Sequence, residues 1–120
     1  MSGTQTQTQV QTQAQTESIN IKVWTEPGVE YWGAGSGFTK IYAYVTVRGE
    51  VEVNGNKVSF DDIVVSSHFD LETQDDQIAN FVKLVHDAKN KMLERINKFI
   101  ALREKVLSAL SQFGTVEEHF

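Results

Sequence analysis

Between Gln74 and Gln112 the chain contains no Gly or Pro, and its apolar residues fall at helical spacing. Ile78, Val85, Met92, Phe99, Val106 and Phe113 recur every seven residues, joined by a second line through Phe81 and Val82 and then Ile96 and Leu110. That pattern predicts one amphipathic helix of roughly 60 Å at about 1.5 Å per residue. What precedes it is enough for one small β-domain about 30 Å across. A helix that outruns its domain leaves an apolar stripe in water unless a partner covers it. The stripe is too broad for a narrow two-stranded seam, so part should cover a sheet and part should meet another helix. Val85, Met92, Ile96, Phe99, Val106 and Leu110 are therefore the expected oligomerisation residues of a dimer or higher homo-oligomer.

The β signals come earlier. Ile19, Ile21 and Val23 alternate with Asn20, Lys22 and Trp24, a half-buried strand. Pro27-Gly28 then reads as a turn, within a loop that holds Tyr31 and Trp32 and ends in the Gly33–Gly37 run. From Phe38 to Arg48 a second strand puts Ile41, Ala43, Val45 and Val47 on one face. Val51 and Val53 continue that parity past Gly49, where a bulge or bend is expected. Asn54-Gly55 is a hairpin signal that sets Val51 against Val58 and Glu52 against Lys57. The returning strand dips at Asp61-Asp62 and resumes from Ile63 to Phe69. Thr73 looks like the helix N-cap, with Asp75 and Asp76 complementing the dipole and Gly114 ending the helix.

The expected class is thus α+β: an antiparallel meander of about four strands over residues 18–72, then a long helix over 73–114 that packs on it and mediates oligomerisation. Residues 1–17, rich in alternating Thr and Gln, are expected to be a disordered tail, and residues 115–120 a flexible one. Absence of cysteine excludes a disulfide framework and thiolate metal sites. No signal peptide or membrane-length apolar run is present, so a cytoplasmic protein without membrane association is expected.

Charge is unevenly distributed. Residues 17–72 hold four basic residues against nine carboxylates, whereas the stretch from Lys83 to Lys105 holds seven basic residues against three. That basic segment is either a solvated helix face laced with i,i+4 pairs or a phosphate-tracking stripe.

No arrangement of residues points to catalysis, and neither a cofactor nor a metal is expected. The Gly33–Gly37 run precedes a strand and lacks the Gly-Lys-Ser/Thr ending of a P-loop. His68, Asp70, Glu72, Asp75 and Asp76 gather one imidazole and four carboxylates, but two of these belong to the first helical turn and two to an exposed connection. The outer sheet face is more informative. If the odd-numbered valines pack under the helix, Phe38, Lys40, Tyr42, Tyr44 and Arg48 line the opposite face, with Trp24, Tyr31 and Trp32 nearby. Rings alternating with cations are what a single-stranded nucleic acid needs, since bases stack on rings and Lys or Arg follows the phosphates. The competing reading is a second apolar layer, with the rings covered by a loop or another subunit, and Glu50 and Glu52 on the same face favour it.

A small β-rich domain with the aromatic set Tyr31-Trp32…Phe38…Tyr42…Tyr44, followed by a long helix, resembles the ThermoDBP-type single-stranded DNA-binding proteins of archaea. The resemblance is one of layout and spans residues 18–113. It implies single-strand binding in an aromatic and basic cleft and helix-mediated association. The leading expectation is a non-catalytic single-stranded nucleic-acid-binding protein. The alternative is a homo-oligomeric interaction, inhibitor or structural module, viral or cellular, whose exposed aromatics bind another protein.

Overall fold

A computed structural model describes residues 17–33 and 39–120. The N-terminal segment 1–16, the glycine-run residues 34–37 and Phe38 lie outside the described residues. Four strands, β1 (Ile19–Trp32), β2 (Lys40–Val53), β3 (Asn56–Ser59) and β4 (Ile63–Asp70), precede one helix, α1 (Asp75–Leu110), and a 3-10 turn at Ser111–Phe113. This is the α+β layout that the sequence implies, an antiparallel sheet with a long helix packed on it.

Register gives the sheet its shape. β1 pairs with β2 along its whole length, from Ile19 opposite Val53 to Trp32 opposite Lys40. On the other side of β2, β3 and β4 lie end to end, so the sheet is three strands wide. The Asn54-Gly55 turn has φ of 51° and 88°, as a type I′ hairpin requires, and Val51 faces Val58 and Glu52 faces Lys57. Between β3 and β4 the pairing slips by one residue: Glu50 faces Ser59, but Val47 faces Ile63. The sequence slips with it. Inward residues are even-numbered at Val58 and Phe60 and odd-numbered from Ile63 and Val65 onward, so the apolar face stays continuous across the break.

β1 does not turn at Pro27-Gly28; it continues as strand to Trp32. The Asn54 N–H donates to the Ser18 carbonyl (2.8 Å), so even-numbered residues of β1 carry the bonds to β2 and odd-numbered ones face the open edge. Pro27 is odd-numbered. Its missing donor is therefore one that β2 never needed, which is why a proline is tolerated there. Gly28 supports Tyr44, whose ring lies across the backbone where a Cβ would stand.

The helix packs on the odd-numbered face. Val47, Val51, Val53, Ala88, Met92 and Ile96 form the buried core, each larger side chain contributing about 1.5–3 kcal/mol. Gly49 is no bulge, because the β1–β2 register runs through it unbroken. Its role is close approach: a Cβ there would come within 2.6 Å of Met92 Cγ and Sδ. The helix starts one residue later than Thr73 suggests. Gln74 is the N-cap, with its N–H donating to Gln77 Oε1 (2.7 Å), while the Thr73 hydroxyl accepts from the Asp70 N–H (2.8 Å) in the preceding turn.

Arg103 marks where the sheet ends. It is buried level with the hairpin, its guanidinium bound to Glu17 (2.7 and 3.2 Å) and Glu118 (both 2.9 Å). Glu17 in turn precedes Ser18, whose N–H donates to Asn54 Oδ1 (3.0 Å). Beyond Arg103 the helix runs on for about another 10 Å at 1.5 Å per residue and is followed by the 3-10 turn, with Val106, Leu110 and Phe113 exposed. Residues 115–120 are not frayed outward: Glu118 ties them back, and Phe120 shares a cavity of about 560 Å³ with Val58, Phe99, Leu102 and Val106. Gly114 has φ 135° and ψ −170°, an extended conformation open to glycine and distinct from the left-handed helical one.

Two of the six expected oligomerisation residues are core. Met92 and Ile96 are fully buried beneath the sheet within one chain and have no surface for a partner. Val85 and Phe99 are half-buried, Phe99 meeting Phe60 edge-on at 5.5 Å, while Val106 and Leu110 remain exposed. A helix lying on a sheet needs the same apolar repeat as one lying on another helix, and here the sheet takes the middle of the stripe.

Candidate functional site

Strand parity builds the outer face. In β2 the even-numbered Lys40, Tyr42, Tyr44 and Arg48 point away from the helix, flanked by even-numbered residues of β1 and β4. One cross-strand row is Glu30, Tyr42 and His68; the next toward the hairpin is Gly28, Tyr44 and Ser66. No further layer covers this face among the described residues.

Four rings form one cluster at one end of it. Trp32 stacks on Tyr42 (centroids 5.6 Å apart, 21° between planes), and His68 lies 4.8 Å from Tyr42 and 5.2 Å from Trp32. Tyr44 continues the line at 5.6 Å from Tyr42. Trp32 is 49% exposed and its indole N–H donates to Glu30 Oε1 (3.3 Å), leaving an outward ring face. Lys40, opposite Trp32 in the register, stands beside the cluster.

Other expected members of the strip fall elsewhere. Tyr31 is in β1 opposite Ile41, on the helix side of the sheet, where it is 76% exposed. Trp24 shares the outer face but lies about 26 Å along β1 from Trp32, at 3.3 Å per residue. Lys22 covers its ring at 4.8 Å, and its indole N–H donates to Glu26 Oε2 (3.0 Å). Phe38 lies outside the described residues.

Arg48 is engaged within the chain. Its Nε stands 2.9 Å from Glu26 Oε1 and its Nη1 3.2 Å from Asp62 Oδ2. Trp24 and then Arg48 hold the Glu26 carboxyl below the usual carboxylate range. A guanidinium with two carboxylate partners has little charge left for a phosphate.

The acidic group does not assemble into a metal site. Asp75 and Asp76 occupy the first turn of α1, and Asp70 Oδ1 accepts the Glu72 N–H (2.9 Å). No group of three potential ligands lies together among the described residues. His68 belongs instead to the ring cluster. The sequence places it beside carboxylates, and only the β2–β4 register, Tyr42 opposite His68, reveals its neighbours. Arg103 was also missed, although a cation at a stripe position seven residues after Ile96 is a visible irregularity. Among the described residues no helix is long and apolar enough to cross a membrane.

On the helix side, Val29, Tyr31 and Ile41 of the sheet and Ile78 and Val82 of α1 are all exposed. Val29 and Ala43 share a groove of about 360 Å³ with Phe81. The helix covers the β2 and β4 side of a sheet three strands wide and leaves this part of β1 bare. No family model, curated protein or solved structure matches the chain.

Proposed function

We propose that this protein binds single-stranded nucleic acid, without catalysis, on the outer face of its sheet. The observation that carries the reading is the contiguous cluster Trp32–Tyr42–Tyr44–His68 on an uncovered face, with Lys40 beside it. Rings on a rigid sheet give bases a platform at low entropic cost, and each stacked base contributes about 1–3 kcal/mol. Trp32 and Tyr42 are the stacking residues, Tyr44 extends the platform, and Lys40 contacts phosphate. The acidic surroundings of Glu26, Glu30 and Asp62 keep affinity modest, and Lys40 as the phosphate contact gives a log–log salt slope of about 0.7 at this site.

The test is a fluorescence anisotropy titration of a labelled thymidine oligonucleotide at two salt concentrations. Wild-type protein should bind and weaken as salt rises, and Trp32→Ala with Tyr42→Ala should lose roughly 10-fold or more while staying folded, because the core uses the other face. Unaltered binding in the folded double variant removes this site.

A second reading, a homo-oligomeric interaction module, is favoured by a separate observation: the apolar surface at Val29, Tyr31, Ile41, Ile78 and Val82 and the helix overhang at Val106 and Leu110. Exposed apolar surface of this kind marks a protein partner, here a second copy or another protein. Light scattering over a concentration series reads it directly, with a dimer expected and a monomer at all concentrations opposing it.

A further inference from the structure

The basic residues of α1 are distributed in a way the aromatic site does not use. Arg95 Nη1 donates to the Asp61 carbonyl (3.3 Å), Phe81 meets Phe69 edge-on at 5.7 Å, and Phe99 meets Phe60. These contacts turn one flank of the helix toward β3 and β4. Lys91 and Lys98 lie one turn either side of Arg95 on that flank, and Lys105 follows seven residues later. All four are exposed. Among the described residues the ion pairs of basic side chains are those of Arg48, Lys57, Arg103 and His119, and none joins Lys91, Lys98 or Lys105 to a carboxylate. Asp87, four residues before Lys91, and Glu94, between Lys91 and Lys98, share that face and stand outside pairing distance. The flank is therefore not laced by i,i+4 pairs. Its three ammonium groups, with Glu94 between the first two, spread over about 21 Å at 1.5 Å per residue on an otherwise acidic molecule.

We infer that this flank is a second phosphate-contacting track for the same single strand, a step that rests on the aromatic-face reading. The rings and the lysines are on opposite sides of the sheet, separated by the β4 edge, where Ser66 and His68 face outward. A strand stacked on Trp32 and Tyr42 turns over that edge beside His68, where Asp76, Gln77 and Asn80 of the helix start lie. It then follows the helix for about 16 Å at 1.5 Å per residue before its phosphates meet Lys91, Lys98 and Lys105. Charge selects the partner: unpaired ammonium groups in a row attract a polyanion, and the phosphodiester backbone is the polyanion whose bases the other face accepts. Binding then depends on length. An oligonucleotide of about four residues fills the ring site alone, whereas one of about twenty reaches the helix as well.

The experiment compares thymidine oligonucleotides of those two lengths across a salt series, for wild-type protein, for Lys91→Gln/Lys98→Gln/Lys105→Gln, and for Trp32→Ala/Tyr42→Ala. Each phosphate contact on a single strand adds about 0.7 to the slope of log affinity against log salt, so the long oligonucleotide should exceed the short one by about 2 in wild type. The lysine triple variant should erase that difference and leave the short oligonucleotide unaffected. A wild-type slope on the long oligonucleotide in the triple variant, with binding still weakened in the ring variant, overturns the track and leaves the aromatic site standing. Loss of slope in the triple variant with no change in the ring variant overturns the aromatic reading and, with it, the shared path. No binding by wild type at either length overturns both.

Discussion

Arg103 and Glu17, 86 positions apart in sequence, meet end-on, with Nη2 to Oε2 at 2.7 Å and Nη1 to Oε1 at 3.2 Å. Glu118 completes the clasp from the other end of the described chain. A guanidinium fork fits a carboxylate in two places at once, which makes the geometry specific as well as attractive. The pair locks the start of β1 to the point where the helix leaves the sheet.

That clasp should make stability depend on acid. Hydrogen bonding and charge from Arg103 hold the Glu17 carboxyl below its ordinary value of 4.5. Its contribution is thus fully present above that value and is lost as pH falls through the lowered one. Thermal melts from pH 7 down to about pH 3 should show this loss, and Arg103→Leu should remove the Glu17 part of it. At neutral pH the substitution should cost about 2 kcal/mol, reduced from a fully buried pair because the Glu17 side chain is 41% exposed. Deleting residues through Gln15 should leave the melting temperature nearly unchanged, whereas deleting through Glu17 should lower it.

Gly49 and Met92 should behave as a coupled pair. Gly49→Ala places a methyl where Met92 Cγ and Sδ already stand, costing about 1–3 kcal/mol as helix and sheet are forced apart. Adding Met92→Ala should cost less than the sum of the two single changes, since truncating Met92 removes the clash and the new methyl fills part of the space it vacates. Chemical denaturation of the four proteins measures that coupling, and strict additivity would refute the contact.

The carboxylates around Arg48 should oppose nucleic-acid binding. Glu26→Gln with Asp62→Asn removes two negative charges and releases the guanidinium. Affinity for a single strand should rise, and the salt slope should steepen by about 0.7, one further phosphate contact. Arg48→Ala alone should barely change the slope. Anisotropy titrations over a salt series distinguish these outcomes.

The two ends of the apolar stripe should separate folding from assembly. Phe99→Asp buries a charge beside Phe60 and should unfold the domain. Leu110→Asp with Phe113→Asp lies beyond the sheet, so the melting temperature should hold while light scattering reports a smaller particle. An unchanged particle in the folded variant would exclude the overhang as the contact.

Features that depend on neighbours in sequence were legible from it. The Gly-free apolar repeat specified α1, Asn54-Gly55 specified the hairpin, and the valine parity specified which face of β2 is inward. What escaped was set by partners far along the chain. Pro27-Gly28 has the composition of a turn, and only the knowledge that β1 is an outer strand, with odd-numbered groups facing away from β2, makes it strand. The apolar repeat could not say how much of itself the sheet would take, so Met92 and Ile96 were assigned to a partner. Of the ring cluster, Tyr42 and Tyr44 followed from parity within one strand. Trp32 and His68 join it through the β1 and β4 registers, which no local pattern encodes.

Pro27 has a consequence for the protein at high concentration. A strand fourteen residues long with an open side is a template on which identical chains can grow into fibres, and here it follows directly on a Thr/Gln-rich segment of the kind that feeds such growth. An incoming strand would find donors and acceptors alternating along that side until the ring nitrogen of Pro27, near the middle, offers nothing. Zippering from either end halts there. One imino acid thus acts as a chain terminator, and replacing it with Val should shorten the lag time of thioflavin-positive aggregation without altering the folded monomer's circular dichroism.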